Sequence, residues 1–271
     1  MPTDAQVIQW FPGHMVASMR KMAERLTLVD VVIQVVDARL PQASGNPMLD
    51  ELAAKLPRLI VLSREDLADA QFTVNWQTWY ETRGLQTLAI NGKRQGDVGK
   101  VRAALLALTG ARKTARAMIV GTPNTGKSTL INGLLRRTAA RVEDKAGVTR
   151  QLQWFRVAAN FELMDTPGIL VPKIANAQSQ WMLSLCGALP RERYDPEEVI
   201  TSFVAWAHVE RPQLRVPSLE DFAAARGFKR HGSDLDLHNA SGAYLKDFND
   251  GKFGRITFET PPSTNSGQAY E

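Results

Sequence analysis

Apolar residues gather into runs of strand length at 31–36 (VVIQVV), 59–62 (LIVL), 86–90 (QTLAI), 116–120 (RAMIV), 152–158 and 161–164. Stretches with helical spacing, near 15–28, 47–56, 73–83 and 97–109, precede or separate the first four. Strands alternating with helices predict a mainly parallel, doubly wound α/β sheet. The last two runs meet around Ala159-Asn160, which predicts a hairpin at one edge. Beyond about residue 180 the pattern changes to helical periodicity near 179–188, 196–207, 218–226 and 238–248, broken by Pro190, Pro212 and Pro217. The expected organisation is therefore an α/β domain over 1–177, a small all-helical domain over 178–260, and a frayed tail over 261–271. No internal repeat is present.

Composition narrows the class. With 271 residues, 44% of them hydrophobic, the chain has enough apolar material for one sizeable core and a smaller second domain. No apolar run is long enough to span a bilayer, and the N-terminus shows no signal-peptide pattern, so a cytoplasmic location is expected. The single cysteine, Cys186, excludes an internal disulfide framework and any cysteine-based zinc site. The net charge of +5 is unevenly spread: residues 1–180 hold 23 basic and 15 acidic side chains, residues 181–271 hold 10 and 13. Two basic segments stand out. Residues 93–116 contain Lys93, Arg94, Lys100, Arg102, Arg112, Lys113 and Arg116, and residues 136–156 contain Arg136, Arg137, Arg141, Lys145, Arg150 and Arg156. Such segments suit phosphate backbones, although a solvated basic face would read the same way.

Candidate chemistry begins at 121–128, Gly-Thr-Pro-Asn-Thr-Gly-Lys-Ser, which follows an apolar strand and opens a helix. The pattern G-x-x-x-x-G-K-[ST] in that setting is a phosphate-binding loop. Gly121 and Gly126 let the backbone curl so that its N–H groups face phosphate oxygens, Lys127 reaches the β- and γ-phosphates, and the Ser128 hydroxyl is placed to ligate Mg²⁺. Asn124, Thr125 and Thr129 complete the expected contacts. Downstream, Asp165-Thr166-Pro167-Gly168 ends another strand; there Asp165 would hold the magnesium through water and the Gly168 amide would sense a γ-phosphate. Between them, Thr149 in the loop 145–150 is the candidate for a second magnesium-side hydroxyl.

Asp-Thr-Pro-Gly points to guanine nucleotides, yet no Asn-Lys-x-Asp base reader follows it. The only counterpart lies upstream, at Ser63, Arg64, Glu65 and Asp66 after the 59–62 strand, with a second loop at Asn91-Gly92-Lys93. Base reader, base loop, phosphate loop and the two switch loops thus occur in a circularly permuted order, which a sheet tolerates because its strands need only be neighbours in space.

In that order the sequence resembles the circularly permuted ribosome biogenesis GTPase A family. The likeness extends to Gln9-Trp10-Phe11-Pro12-Gly13-His14-Met15, Asp37-Ala38-Arg39 with Pro41, Gly45-Asn46-Pro47, and the stretch from Asp247 to Arg255. It covers nearly the whole chain. The resemblance implies a monomeric GTPase that binds GTP and GDP with Mg²⁺ and acts on the large ribosomal subunit precursor late in assembly, with the helical domain helping to contact ribosomal RNA. It further implies that Asn124 coordinates a K⁺ ion that neutralises transition-state charge. Ile169 stands where many GTPases keep a water-orienting glutamine, and His14 is the implied catalytic substitute. Ser63 departs from the family's asparagine, which bridges the base and the phosphate loop, and is expected to be too short to repeat that reach. Arg64 should still cover the base and Asp66 should still accept the guanine N1–H and N2–H₂, so that guanine preference survives with weaker nucleotide affinity. Two other readings compete with a slow GTPase switch. One is an RNA scaffold with negligible turnover and relaxed base choice, favoured by Ser63 and Ile169; the other is an ATP-using enzyme.

Overall fold

The computed structural model describes residues 22–110, 114–135, 153–158, 160–166, 174–230 and 234–262. The described residues divide into two compact units, Ile174–Ile256 and the rest, so that residues 257–262 belong with the unit that precedes 174.

The larger unit is built on one sheet. Strands β1 (Val31–Asp37), β2 (Arg58–Ser63), β3 (Gln86–Ala89), β4 (Ala115–Val120), β5 (Gln153–Ala158) and β6 (Phe161–Asp165) lie in the order β3-β2-β1-β4-β6-β5. All neighbours are parallel except β5 and β6, the expected edge hairpin. Helices cover both faces: the described end of α1 (22–26), α2 (Met48–Leu52), α3 (Ala70–Glu81), α4 (Gln95–Thr109) and α5 (Lys127–Leu135). Because side chains alternate across a strand, β1 serves both layers. Val31, Ile33 and Val35 pack with Val101 and Leu105 of α4 and Leu130 and Leu134 of α5. On the opposite face Val32 meets Met22 and Leu26, while Val36 lies in a cluster with Trp76 and Tyr80 of α3. The apolar runs are continuous because these strands are buried on both sides.

Helix ends moved where caps decided them. α3 starts at Ala70 because the Asp69 carboxylate accepts the N–H groups of Gln71 and Phe72. α2 is shorter than its apolar spacing suggested, closing at Ala53.

The smaller unit contains α6 (Ala177–Leu185), α7 (Pro196–Glu210), α8 (Leu219–Ala225) and α9 (Leu237–Asn249), close to the four predicted helices. Its core holds Phe203 edge-on to Phe248 at 5.2 Å and Phe222 edge-on to Tyr244 at 5.0 Å. The Tyr244 hydroxyl donates to Pro217 O at 2.9 Å, and burial pushes its pKa up. Asp247, buried, receives Arg226 and Lys252, while the Asn249 amide bonds Leu185 O at 2.9 Å. Gly251 and Gly254 then turn the chain in the left-handed region. The stretch beginning at Asp247 is thus a packing and turn device.

The expected domain limits shift accordingly. The helical unit begins at Ile174, and the segment after Ile256 returns to the sheet unit. There Phe258 N donates to Arg39 O at 2.8 Å, Trp76 Nε1 donates to Glu259 O at 3.0 Å, and the Glu259 carboxylate accepts Gln42 N at 2.7 Å and Ala43 N at 3.0 Å. Residues 257–259 are a strap across the loop that follows β1. Residues 174–256 hold 10 basic and 11 acidic side chains, closer to neutral than residues 181–271.

Candidate nucleotide-binding site

The carboxyl ends of β2, β1, β4 and β6 lie side by side, and each carries one part of the site. Asp37 is in register with Ser63 across β1 and β2, and Ile119 of β4 with Asp165 of β6. Open α/β sheets place their ligand crevices at this edge.

The phosphate loop leaves β4 at Gly121. A β-carbon there would sit 2.3 Å from Val35 O, so only glycine lets the loop pass this close to β1. Gly126 has φ +93° and Asn124 φ +57°. Thr125 Oγ1 donates to Thr122 O at 2.9 Å, and Thr122 Oγ1 donates to Ser44 O at 3.3 Å, which ties the loop to the turn after β1. Lys127 is 7% exposed; its ammonium donates to Gly121 O at 2.9 Å and Thr122 O at 2.7 Å. Burial pushes its pKa down to about 8, partly opposed by the charge of Asp165. Ser128 and Thr129, in the first turn of α5, are exposed, and their hydroxyls make no hydrogen bond among the described residues. Thr166 Oγ1 donates to Ile119 O at 2.7 Å, fixing the end of β6 beside β4 and thereby placing Asp165 near Lys127.

These residues fit a magnesium ion that arrives with phosphates. Among the described residues no three His, Cys, Asp or Glu converge. The donor set is one free hydroxyl, Ser128, and one carboxylate, Asp165, which suits an ion otherwise held by phosphate oxygens and water. His14, Thr149 and Gly168 lie outside the described residues, as does Ile169.

A lysine that loses its proton at a pKa of about 8 makes phosphate binding pH-dependent. The bound phosphates favour the ammonium and raise its pKa, so binding takes up a proton wherever the free protein has lost one. GDP affinity is therefore constant below that pKa and falls by up to about tenfold per pH unit above it. Titrations with fluorescent GDP across that range check this; an affinity flat up to the ordinary lysine pKa would contradict it.

The upstream turn sits against this loop. Ser63 is buried, and its hydroxyl donates to Thr125 O at 2.5 Å, with Val36 O at 3.0 Å. Ser63 thus makes the phosphate-loop half of the bridge expected of the family's asparagine. β2 lies close enough that a one-carbon side chain spans the gap, and a β-carbon on Gly126 would be 3.6 Å from Ser63 Oγ. Arg64, with φ +57°, donates from Nη2 to Asn124 O at 2.6 Å. Asp66 is half-exposed in a short 3₁₀ turn, and its carboxylate has no hydrogen bond or ion pair among the described residues. Glu65 N donates to Ile90 O at 3.1 Å, which joins this turn to the loop after β3. In that loop Asn91 N donates to Asp97 Oδ2 and Asn91 Oδ1 accepts Lys93 N at 3.0 Å. Gly92 lies against α5, where an added β-carbon would meet Thr129 Cγ2 at 3.2 Å. The permuted order therefore brings Ser63 and Arg64 onto the phosphate loop and Gly92 against α5, with Asp66 in the same turn as Arg64 and Asn91 beside Gly92.

Sequence reasoning assigned no role to Asp37, Arg39 and Ser44, which underlie the turn at 63–66. Arg39, 1% exposed, bonds the Asp37 carboxylate through Nε at 2.9 Å and Nη2 at 2.8 Å, and Ser44 Oγ accepts Asp37 N at 2.9 Å. An Asp-x-Arg at the end of a buried strand was the available signal.

Comparison with known proteins agrees with this geometry. A family described as "50S ribosome-binding GTPase" matches residues 116–191. Ribosome biogenesis GTPase A of Bacillus cereus is 37% identical across 94% of this chain and 94% of its own length, and that of Thermotoga maritima 32% identical across 94% and 95%. The GDP-bound structure of T. maritima YlqF superposes with a TM-score of 0.70 at 30% identity, covering 89% of this chain and 99% of that one. A GNP-bound structure of the same protein superposes equally well.

Proposed function

The chain belongs to the ribosome biogenesis GTPase A family, and from that premise we propose that it is a nucleotide-controlled switch on the large ribosomal subunit precursor. It is a circularly permuted P-loop GTPase that hydrolyses GTP to GDP and phosphate, and its role lies in ribosome assembly. The finer reading is that GTP orders the loops carrying Thr149 and Gly168, the ordered face binds pre-ribosomal RNA and protein, and hydrolysis releases it. The phosphate-loop amides and Lys127 hold the β- and γ-phosphates, Ser128 and Asp165 position Mg²⁺, and Asn124 supplies a K⁺ ligand. His14 prepares the attacking water in place of the missing glutamine at Ile169. The protein works as a cytoplasmic monomer; no described helix is long and apolar enough to cross a membrane.

The observation that carries guanine reading is the turn itself: Ser63 and Arg64 bonded to the phosphate loop while the Asp66 carboxylate is left unengaged. That contact weighs against the scaffold alternative as far as Ser63 supported it; Ile169, its other support, lies outside the described residues. The test is co-sedimentation with purified large subunits, together with hydrolysis in K⁺ or Na⁺ buffer. The switch reading expects association with a non-hydrolysable GTP analogue, release with GDP, and turnover stimulated by subunits in K⁺. Equal association in both nucleotide states would refute it.

A further inference from the structure

Arg64 is the residue whose stem covers the base in the reading above, and its guanidinium is held by groups that lie outside its own turn. Arg64 and its partner Asn124 both have φ +57°, a left-handed region that asparagine visits readily but that is unfavourable for arginine. Nη2 donates to Asn124 O at 2.6 Å, and Nη1 lies 3.5 Å from Asp37 Oδ2. Asp37 is the residue of β1 that lies beside Ser63, between the base-reading strand and the phosphate-loop strand.

We propose that Asp37 is a positioning residue of the base reader: its carboxylate, locked by Arg39, holds the Arg64 guanidinium on the Asn124 carbonyl, so that the guanine slot and the phosphate loop are assembled before nucleotide arrives. This rests on the guanine-reading turn at 63–66. The lock is itself held in place. Arg39 closes on Asp37 through its backbone N–H at 3.0 Å and two side-chain bonds, and the strap donates Phe258 N to Arg39 O at 2.8 Å. Burial pushes the Asp37 carboxyl up, but the charge and hydrogen bonds of Arg39 and the charge of Arg64 outweigh it and keep the group ionised below the usual carboxylate value. Oδ2, which takes Arg39 Nη2, is also the oxygen nearest Arg64. One buried anion thus orients two arginines, the inner one structural and the outer one, with its side chain 28% exposed, at the ligand edge. The gain is pre-organisation, since a side chain already held need not be immobilised on binding.

The experiment is a double-mutant cycle on fluorescent GDP binding, with Asp37→Asn, Arg64→Ala and the pair, each checked for folding by thermal melting. Asp37→Asn is expected to weaken GDP about tenfold in the native background and to have little further effect beside Arg64→Ala. A purely structural role would weaken binding equally in both backgrounds and would overturn the proposal. Should Asp37→Asn not fold, Arg64→Met tests the same contact from the other side. It keeps an unbranched stem over the base, removes the guanidinium, and alters only a partly exposed position. It should lose about tenfold in GDP affinity, and native affinity in this variant would overturn the proposal. GDP and ADP are compared on the wild type in the same series. No preference there would remove the guanine-reading premise and the proposal with it, whereas additivity with the preference intact overturns the proposal alone.

Discussion

Replacing Lys127 with alanine should lower GDP affinity by about a hundredfold or more while leaving the protein nearly as stable as before. The two effects separate because the lysine is placed for a ligand at the expense of the empty fold. Its ammonium is buried at 7% exposure, and burial has pushed its pKa down to about 8, so the folded protein carries a desolvation cost that the unfolded chain does not. Alanine removes that cost together with the bonds to Gly121 O and Thr122 O. The opposing changes leave stability within about 1 kcal/mol, a shift of roughly 2–4 °C in a unit of this size. With nucleotide present the balance reverses, because the ammonium then neutralises phosphate charge and its loss is uncompensated. Calorimetry and nucleotide titration on the same samples check both halves. GDP binding that survives, or a melting temperature about 10 °C lower, would contradict this account of the residue.

Gly121→Ala should fail in the opposite manner, losing fold and ligand together. Its β-carbon would stand 2.3 Å from Val35 O, a backbone atom of the central strand that has no rotamer through which to escape. Either the loop lifts off β1 or β1 shifts against β2 and β4, whose registers run through the same strand. A destabilisation of about 3 kcal/mol or more is expected, near 10 °C in melting temperature, with nucleotide affinity lost at temperatures where the variant is still folded. Thermal melting with and without GDP distinguishes this from Lys127→Ala. A native melting temperature would mean that the loop does not pass as close to Val35 as described.

Much of this architecture was legible before any coordinates. Strands buried on both faces write themselves as unbroken apolar runs, so β1, β2 and β4 could be placed within a residue or two. The permuted order could be read because each motif's chemistry is local: the phosphate loop needs its glycines, lysine and serine at fixed spacing, whatever strand comes next. What stayed hidden depends on distances between strands. The hydrogen bond from Ser63 to the phosphate loop was not legible, because nothing in a sequence states how closely the end of β2 approaches Thr125 O. The strap at 257–259 was placed with the helical domain. Several of its bonds, from Phe258 N and Glu259 O to partners about two hundred residues earlier, use backbone atoms that leave no mark on residue type. Asp37 and Arg39 were visible as a motif, but their work is relational and emerges only once Ser63 and Asn124 lie on either side.

The central claim, that this permuted site reads guanine, is tested most directly by competition. Fluorescent GDP bound to the purified wild-type protein is displaced with GDP, ADP and xanthosine diphosphate. An Asp66 carboxylate that accepts both guanine N1–H and N2–H₂ predicts displacement by GDP at concentrations about a hundredfold or more below those of ADP, with xanthosine diphosphate also weak because it lacks the N2 amine. Equal displacement by ADP would contradict the account and leave a phosphate-binding loop without a base reader.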